Sequence, residues 1–183
     1  MDGWHRYGAL ASAQYQLDRH PSPLAFDKLM LSLVGVSPLT PPAMRVALAV
    51  TLATRVAHEH ALRRDGGALH AKSAPVVMPA DSLDTDGETC GVCGTDLHWS
   101  ALFCPCRDRL TCLQHTACKC PPSRRKLLQR HSLQQLDDMV DALAELAQEA
   151  TAADPSLVPP PPATFTPVLL PPPTTDPLCV HTA

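Results

Sequence analysis

A chain of 183 residues has room for one compact domain plus a tail, and its net charge of −3 excludes a polyanion binder that works by bulk electrostatics. Aromatic residues make up only 4% of it, so any core must lean on Leu, Val, Ala and Met. No run of eighteen apolar residues occurs in the sequence, which leaves no candidate membrane-spanning helix.

The first predicted element is a helix over 2–17. Trp4, Tyr7, Leu10, Ala11 and Gln14 recur three or four apart and give it a mostly apolar face. A second helix is expected to start at Ser22-Pro23, where serine caps open N–H groups and proline fills a first-turn position that needs no N–H. Phe26, Leu29, Met30, Leu33 and Val34 continue it, and Gly35 is its expected stop. Thr40-Pro41-Pro42 opens a third helix, expected over 42–64 and closing at Gly66-Gly67. Met44, Ala47, Leu48, Thr51 and Leu52 form one stripe of it, and Val46 and Val50 another. Near its end lies His58-Glu59-His60. Histidines two apart on a helix point in opposed directions and cannot chelate one metal, so this segment reads as a solvated polar helix end.

Residues 68–89 read as a connector. Pro75-Val76-Val77-Met78-Pro79 fits one short strand, and 81–88 is acidic and turn-rich.

The chemistry concentrates in 90–120. Seven of the eight cysteines fall there, together with His115. They come as four close pairs: Cys90/Cys93, Cys104/Cys106, Cys112/His115 and Cys118/Cys120. Tetrahedral zinc takes thiolate and imidazole donors, and a short spacer lets one tight turn aim two of them at one ion. Eight donors supply two complete four-coordinate sites. A disulfide framework is the first competing reading. The first ten residues carry no apolar signal core, and clustered Cys-x2-Cys and Cys-x-Cys pairs outside an oxidising compartment read as metal sites. An iron–sulfur cluster is the second, but it uses four cysteines at other spacings, and a histidine among the pairs favours zinc. Spacing alone leaves the pairing open. Sequential pairing places Cys90, Cys93, Cys104 and Cys106 on one ion, whereas interleaved pairing places Cys90, Cys93, Cys112 and His115 on one and Cys104, Cys106, Cys118 and Cys120 on the other.

Arg124-Arg125-Lys126 and Arg130-His131 follow, a basic run that reads as a solvated face because a few charges do not make a nucleic-acid footprint. Ser132 with Gln135 is a capping box, and Leu133, Leu136, Val140, Leu143 and Ala147 make the apolar face of a last helix that packs on the earlier ones. Asp137, Asp138, Asp141 and Glu145 make its other side. Half of the 20 prolines fall between Pro155 and Pro177, so 151–183 is expected to be a disordered, proline-rich tail that holds Cys179 apart from the other cysteines. The expected division is a helical segment 1–67, a connector 68–89, a finger 90–122, a basic stretch with its helix 123–150, and the tail. The expected fold class is mainly α: a bundle-like helical block with an embedded, loop-rich two-zinc finger.

The order Cys-x2-Cys, Cys-x-Cys, Cys-x2-His, Cys-x-Cys, then Cys120-Pro121-Pro122 and basic residues, resembles the C5HC2-type zinc finger of the Jumonji/ARID (JARID) histone lysine demethylases. Leu110-Thr111-Cys112-Leu113-Gln114-His115 and Ser132-Leu133-Gln134-Gln135-Leu136 extend the likeness past the ligands. Upstream, Asp2-Gly3-Trp4, Tyr15 and Ser22-Pro23-Leu24-Ala25-Phe26-Asp27 resemble the helical segment between the JmjC catalytic domain and that finger. The spacers Cys106-x5-Cys112 and His115-x2-Cys118 are slightly shorter than the family's, which leaves the ligands intact but not the loop details. The resemblance implies the interleaved pairing. Members of that family demethylate lysine 4 of histone H3 with Fe(II), 2-oxoglutarate and O₂, the iron held by a His-x-Asp/Glu…His set. No histidine here is followed two positions later by an acid. The resemblance therefore implies a nuclear, non-catalytic module that contacts chromatin or histone-associated proteins, or a JmjC catalytic domain. A RING-like ubiquitin ligase module and a nucleic-acid-binding finger are the alternatives. Two Cys-x-Cys pairs count against the first, and the short basic run against the second.

Overall fold

A computed structural model describes residues 26–70, 75–77, 89–106, 110–115 and 120–157, with the side chains of Phe26 and 65–70 excepted. The expected helix over 2–17, the cap at Ser22-Pro23, the acidic stretch 81–88, Cys118, and the chain from 158 on, with Cys179, lie outside the described residues.

The described chain is mainly α, with one small sheet. Helix α1 (Phe26–Gly35) leads through a 3-10 turn (Ser37–Leu39) to the long α2 (Pro42–His70). Strand β1 (Val76–Val77) follows, then β2 (Ser100–Phe103), β3 (Lys126–Gln129) and α3 (Leu133–Ala153). The helices meet on leucine. Met30 of α1, Leu48, Leu52 and Val56 of α2, and Leu136 and Leu143 of α3 form one buried cluster. Leu52 and Leu136 are fully enclosed, each contributing about 1.5–3 kcal/mol by leaving water. The expected capping box is present at the start of α3: Gln135 N–H donates to Ser132 Oγ at 3.1 Å, and Ser132 N–H to Gln135 Oε1 at 2.8 Å.

Polar pairs fix how the helices cross. Arg55 of α2 grips Asp27 of α1 with both arms, Nε to Oδ1 at 2.9 Å and Nη2 to Oδ2 at 2.6 Å. His60 Nε2 lies 2.8 Å from Asp137 Oδ1 of α3.

The sheet runs in the order β1-β3-β2. β1 is parallel to β3, and β2 is antiparallel to it, with Ser100 opposite Gln129 and Phe103 opposite Lys126.

Four expectations are corrected. Helix α2 runs through Gly66-Gly67 to His70. Glycine stops a helix when it turns left-handed, and among the described glycines Gly94 alone has positive φ. A right-handed glycine costs about 1 kcal/mol relative to alanine, which the hydrogen-bond ladder absorbs. Second, the basic run is no uniformly solvated face. Lys126–Gln129 is the middle strand of the sheet, with Leu127 buried and Lys126 exposed. Lys126-Leu127-Leu128-Gln129 has no alternation, so nothing in the sequence marked it as a strand beside the charges. Third, His58-Glu59-His60 is not a solvated helix end, because Glu59 is buried against β2. Fourth, Thr151–Ala153, assigned to the tail, are the last residues of α3. Buried Ala150 anchors that last turn.

Candidate metal centre

The first donor cluster begins as a tight turn. Cys90 N–H donates to Thr95 O at 2.7 Å, and Gly94 N–H donates back to Cys90 O at 2.9 Å. Gly94 sits at φ 70°, a conformation that costs a side-chain-bearing residue energy and glycine little. Val92 N–H points at Cys90 Sγ from 3.5 Å. The turn aims both thiols inward. The second half of the cluster arrives by backbone pairing. Gly91 N–H bonds Leu110 O at 3.0 Å, and Leu102 and Thr111 exchange two hydrogen bonds of 2.8 and 3.1 Å. Cys112 follows directly, and the turn closed by His115 N–H on Cys112 O at 3.0 Å brings the imidazole round.

Cys90, Cys93, Cys112 and His115 thereby converge, with all donor atoms within 4.8 Å of one another. Cys93 Sγ lies 3.9 Å from Cys112 Sγ, and His115 Nδ1 lies 3.8 Å from Cys90 Sγ and 3.0 Å from Cys112 Sγ. Zinc–sulfur bonds of about 2.3 Å set tetrahedral edges of roughly 3.8 Å. The arrangement has the size of a zinc tetrahedron, and it presents Nδ1 rather than Nε2.

The second cluster is hung on the sheet. Cys104 follows β2 directly, and Cys120 precedes β3 by way of a 3-10 turn (Pro122–Arg124). Antiparallel pairing of those strands brings both ends together, and Cys106 joins them with its sulfur 3.2 Å from that of Cys104. Arg125 Nη2 donates to Cys120 O at 2.8 Å and braces the turn. Cys118, the fourth expected donor, lies outside the described residues.

Protons alone serve the first cluster badly. Hydrogen bonds from Cys112 and Cys93 hold the Cys90 thiol far below the ordinary thiol range. Hydrogen bonds with Cys90 and Cys93 push Cys112 far above it, with burial and the charge of those neighbouring thiolates acting in the same direction. Hydrogen bonding to the Cys90 sulfur raises His115 to about 9. Such a set holds all its sulfurs ionised only around a cation, and soft donors at these distances fit zinc. The described cysteines are thiols rather than disulfides.

The two clusters differ in access. In the first, Cys90, Cys93 and His115 are buried and Cys112 is half-buried. In the second, Cys104 and Cys120 are buried but Cys106 faces solvent.

Three contributors escaped the sequence reading. Gly94 carried a signal, a glycine directly after the second cysteine of a tight pair. Trp99 carried none: it lies between Cys93 and Cys104 in sequence and belongs to the helical core with Leu52 and Leu136. The third is Arg63, whose side chain is 4% exposed and clamps the finger onto α2. It donates to Glu59 Oε1 at 2.7 Å, Gln129 Oε1 at 3.0 Å and His131 O at 2.9 Å, while Ser100 Oγ donates to the same Glu59 oxygen at 2.6 Å.

Comparison with known proteins agrees with this geometry. Residues 90–139 match the C5HC2 zinc finger family, a stretch that takes in β3 and the start of α3. Lysine-specific demethylase JMJ17 of Arabidopsis thaliana is 32% identical over 146 residues, covering 75% of this chain but 12% of that protein. The chain thus spans a small fraction of that relative's length. What the geometry and both matches establish together is that this chain carries a C5HC2 zinc finger, set in a helical region similar to part of a lysine-specific demethylase.

Proposed function

We propose that this chain is a non-catalytic, zinc-dependent scaffold module that binds two Zn²⁺ ions. Cys90, Cys93, Cys112 and His115 hold one. Cys104, Cys106, Cys120 and, from the sequence, Cys118 hold the other. The observation that carries this reading is the interleaving of the donors. Each cluster joins a segment before β2 or at its end to a segment well beyond it, so two ions would lock the sheet and its loops into one unit. Trp99 and Arg63 then transmit that rigidity to the helices. In a longer demethylase-like protein, such a block would brace the catalytic domain, help to seat chromatin, and act in the nucleus. The likeness to JMJ17 supports that setting.

Native mass spectrometry of the intact chain is the direct test. Two zinc ions per polypeptide are expected, and any other stoichiometry, or disulfides among the same sulfurs, overturns the reading. A second assay mixes the zinc-loaded chain with methylated histone peptide, Fe(II) and 2-oxoglutarate. Demethylation by this chain alone would show it to be an enzyme after all.

A further inference from the structure

Away from the metal clusters, α1 and α3 leave an open groove of about 370 Å³ between them, walled by Val34, Ser37, Met139, Ala142, Leu143 and Leu146. Its floor and walls are mostly apolar. Asp138 stands on its rim. Beside it the chain stays apolar at the surface, with Leu39 of the 3-10 turn 87% exposed and Val36 also exposed.

The charge along this groove is one-sided. Helix α3 carries five acids and no lysine or arginine. Asp137 is engaged by His60. Successive residues on a helix step by about 100°, which places the remaining four, Asp138, Asp141, Glu145 and Glu149, on one arc directly bordering the one that lines the groove. All four are exposed. An apolar trough thus runs beside a continuous acidic edge.

We infer that this groove docks a basic amphipathic segment of a partner protein, its apolar side chains in the trough and its Lys or Arg residues along the α3 edge. Charge complementarity selects that occupant over a neutral or acidic one, because an acidic segment would stand beside four uncompensated carboxylates. The trough suits apolar residues spaced three and four apart on a helix. Met139 adapts to their shape without a fixed rotamer, and the small Ala142 leaves room for close approach. This inference rests on the helical block alone and does not depend on the metal assignment.

The test uses the full zinc-loaded chain and fluorescence anisotropy with three synthetic helical peptides of equal length. One bears Leu at positions three and four apart with Lys along one edge. The second keeps the leucines but replaces Lys by Glu. The third keeps the lysines but replaces Leu by Ser. Only the first is expected to bind, with affinity that falls as salt rises. Ala142→Arg, an exposed position that accepts a good helix former, is expected to abolish binding while circular dichroism stays unchanged. Asp138→Lys combined with Glu145→Lys is expected to weaken binding by roughly tenfold or more, as loss and reversal of two exposed charge pairs implies. Equal binding of the Lys and Glu peptides, undiminished binding of the Ser peptide, full affinity in Ala142→Arg, or no binding of the first peptide would each overturn the proposal.

Discussion

The finger and the helical block occupy one chain but are stabilised by different means. The block has a continuous apolar centre, built from leucines on three helices. The finger has two small apolar clusters, and one of them is Leu97 and Ala101 packed around Cys90 and Cys93 themselves. The block buries its leucines in one cluster, whereas the finger buries sulfur beside the few leucines it has. The seam between them is made by one aromatic ring, Trp99, one buried ion pair, Arg63–Glu59, and Leu62 of α2 packed on the finger's Leu102, Leu113 and Leu127. The contrast teaches that a segment too small for its own core can be folded by coordination and then docked onto one that has a core.

The largest expected effect comes from removing the metal. Structural zinc contributes on the order of ten kcal/mol to small domains. Chelation, or Cys104→Ser or Cys120→Ser, is expected to unfold the finger, loosen α3 and shift Trp99 emission to the red. An unchanged melting curve in both variants would erase the distinction between the two regions.

Breaking the seam comes next. Arg63→Ala strands Glu59 in the interior, and loss of one partner of a buried pair costs about 3–5 kcal/mol. The double variant Arg63→Met with Glu59→Leu is expected to recover much of that. If the single substitution proves silent in denaturant titrations, the seam is not where the regions are joined.

Leu143→Ala probes the block on its own terms and is expected to cost about 2–5 kcal/mol. Zinc content should stay at the wild-type value, and a parallel loss of zinc would show the two regions to be a single cooperative unit.

Acid should act at the joint. Burial, with Arg130 nearby, lowers His98 to about 4 from an ordinary value of 6.5. The fold therefore favours neutral His98, while the unfolded chain binds the extra proton. Its contribution is complete above about 6.5 and is lost as pH falls from there toward 4. His98→Gln should flatten the stability profile in that window at fixed zinc; a slope equal to wild type would remove His98 from the account.

The smallest effect is expected from Ser132→Ala, which deletes half of the capping box and should lower the melting temperature by the equivalent of about 1 kcal/mol.

Much of this was readable in one dimension. The cap at Ser132, the α3 leucines, the proline start of α2 and the short strand at Val76-Val77 all depend on neighbours within a few positions, and each stands where its local pattern put it. Reading failed where burial reverses a local impression. Glu59 and Arg63 look like a solvated helix end until β2 and β3 close over them. The basic run around Lys126 looks like a solvated face until strands pair on both sides of Lys126–Gln129.

What the sequence determined by itself is the donor inventory, seven clustered cysteines and one histidine in four close pairs, because a two- or three-residue turn is a local object. Which described pairs face one another was decided only in three dimensions. The strand register and the Leu102–Thr111 contact carry Cys112 and His115 back to Cys90 and Cys93, and Cys120 back to Cys104. Closing a loop of twenty residues depends on everything packed along it, and no spacing rule contains that.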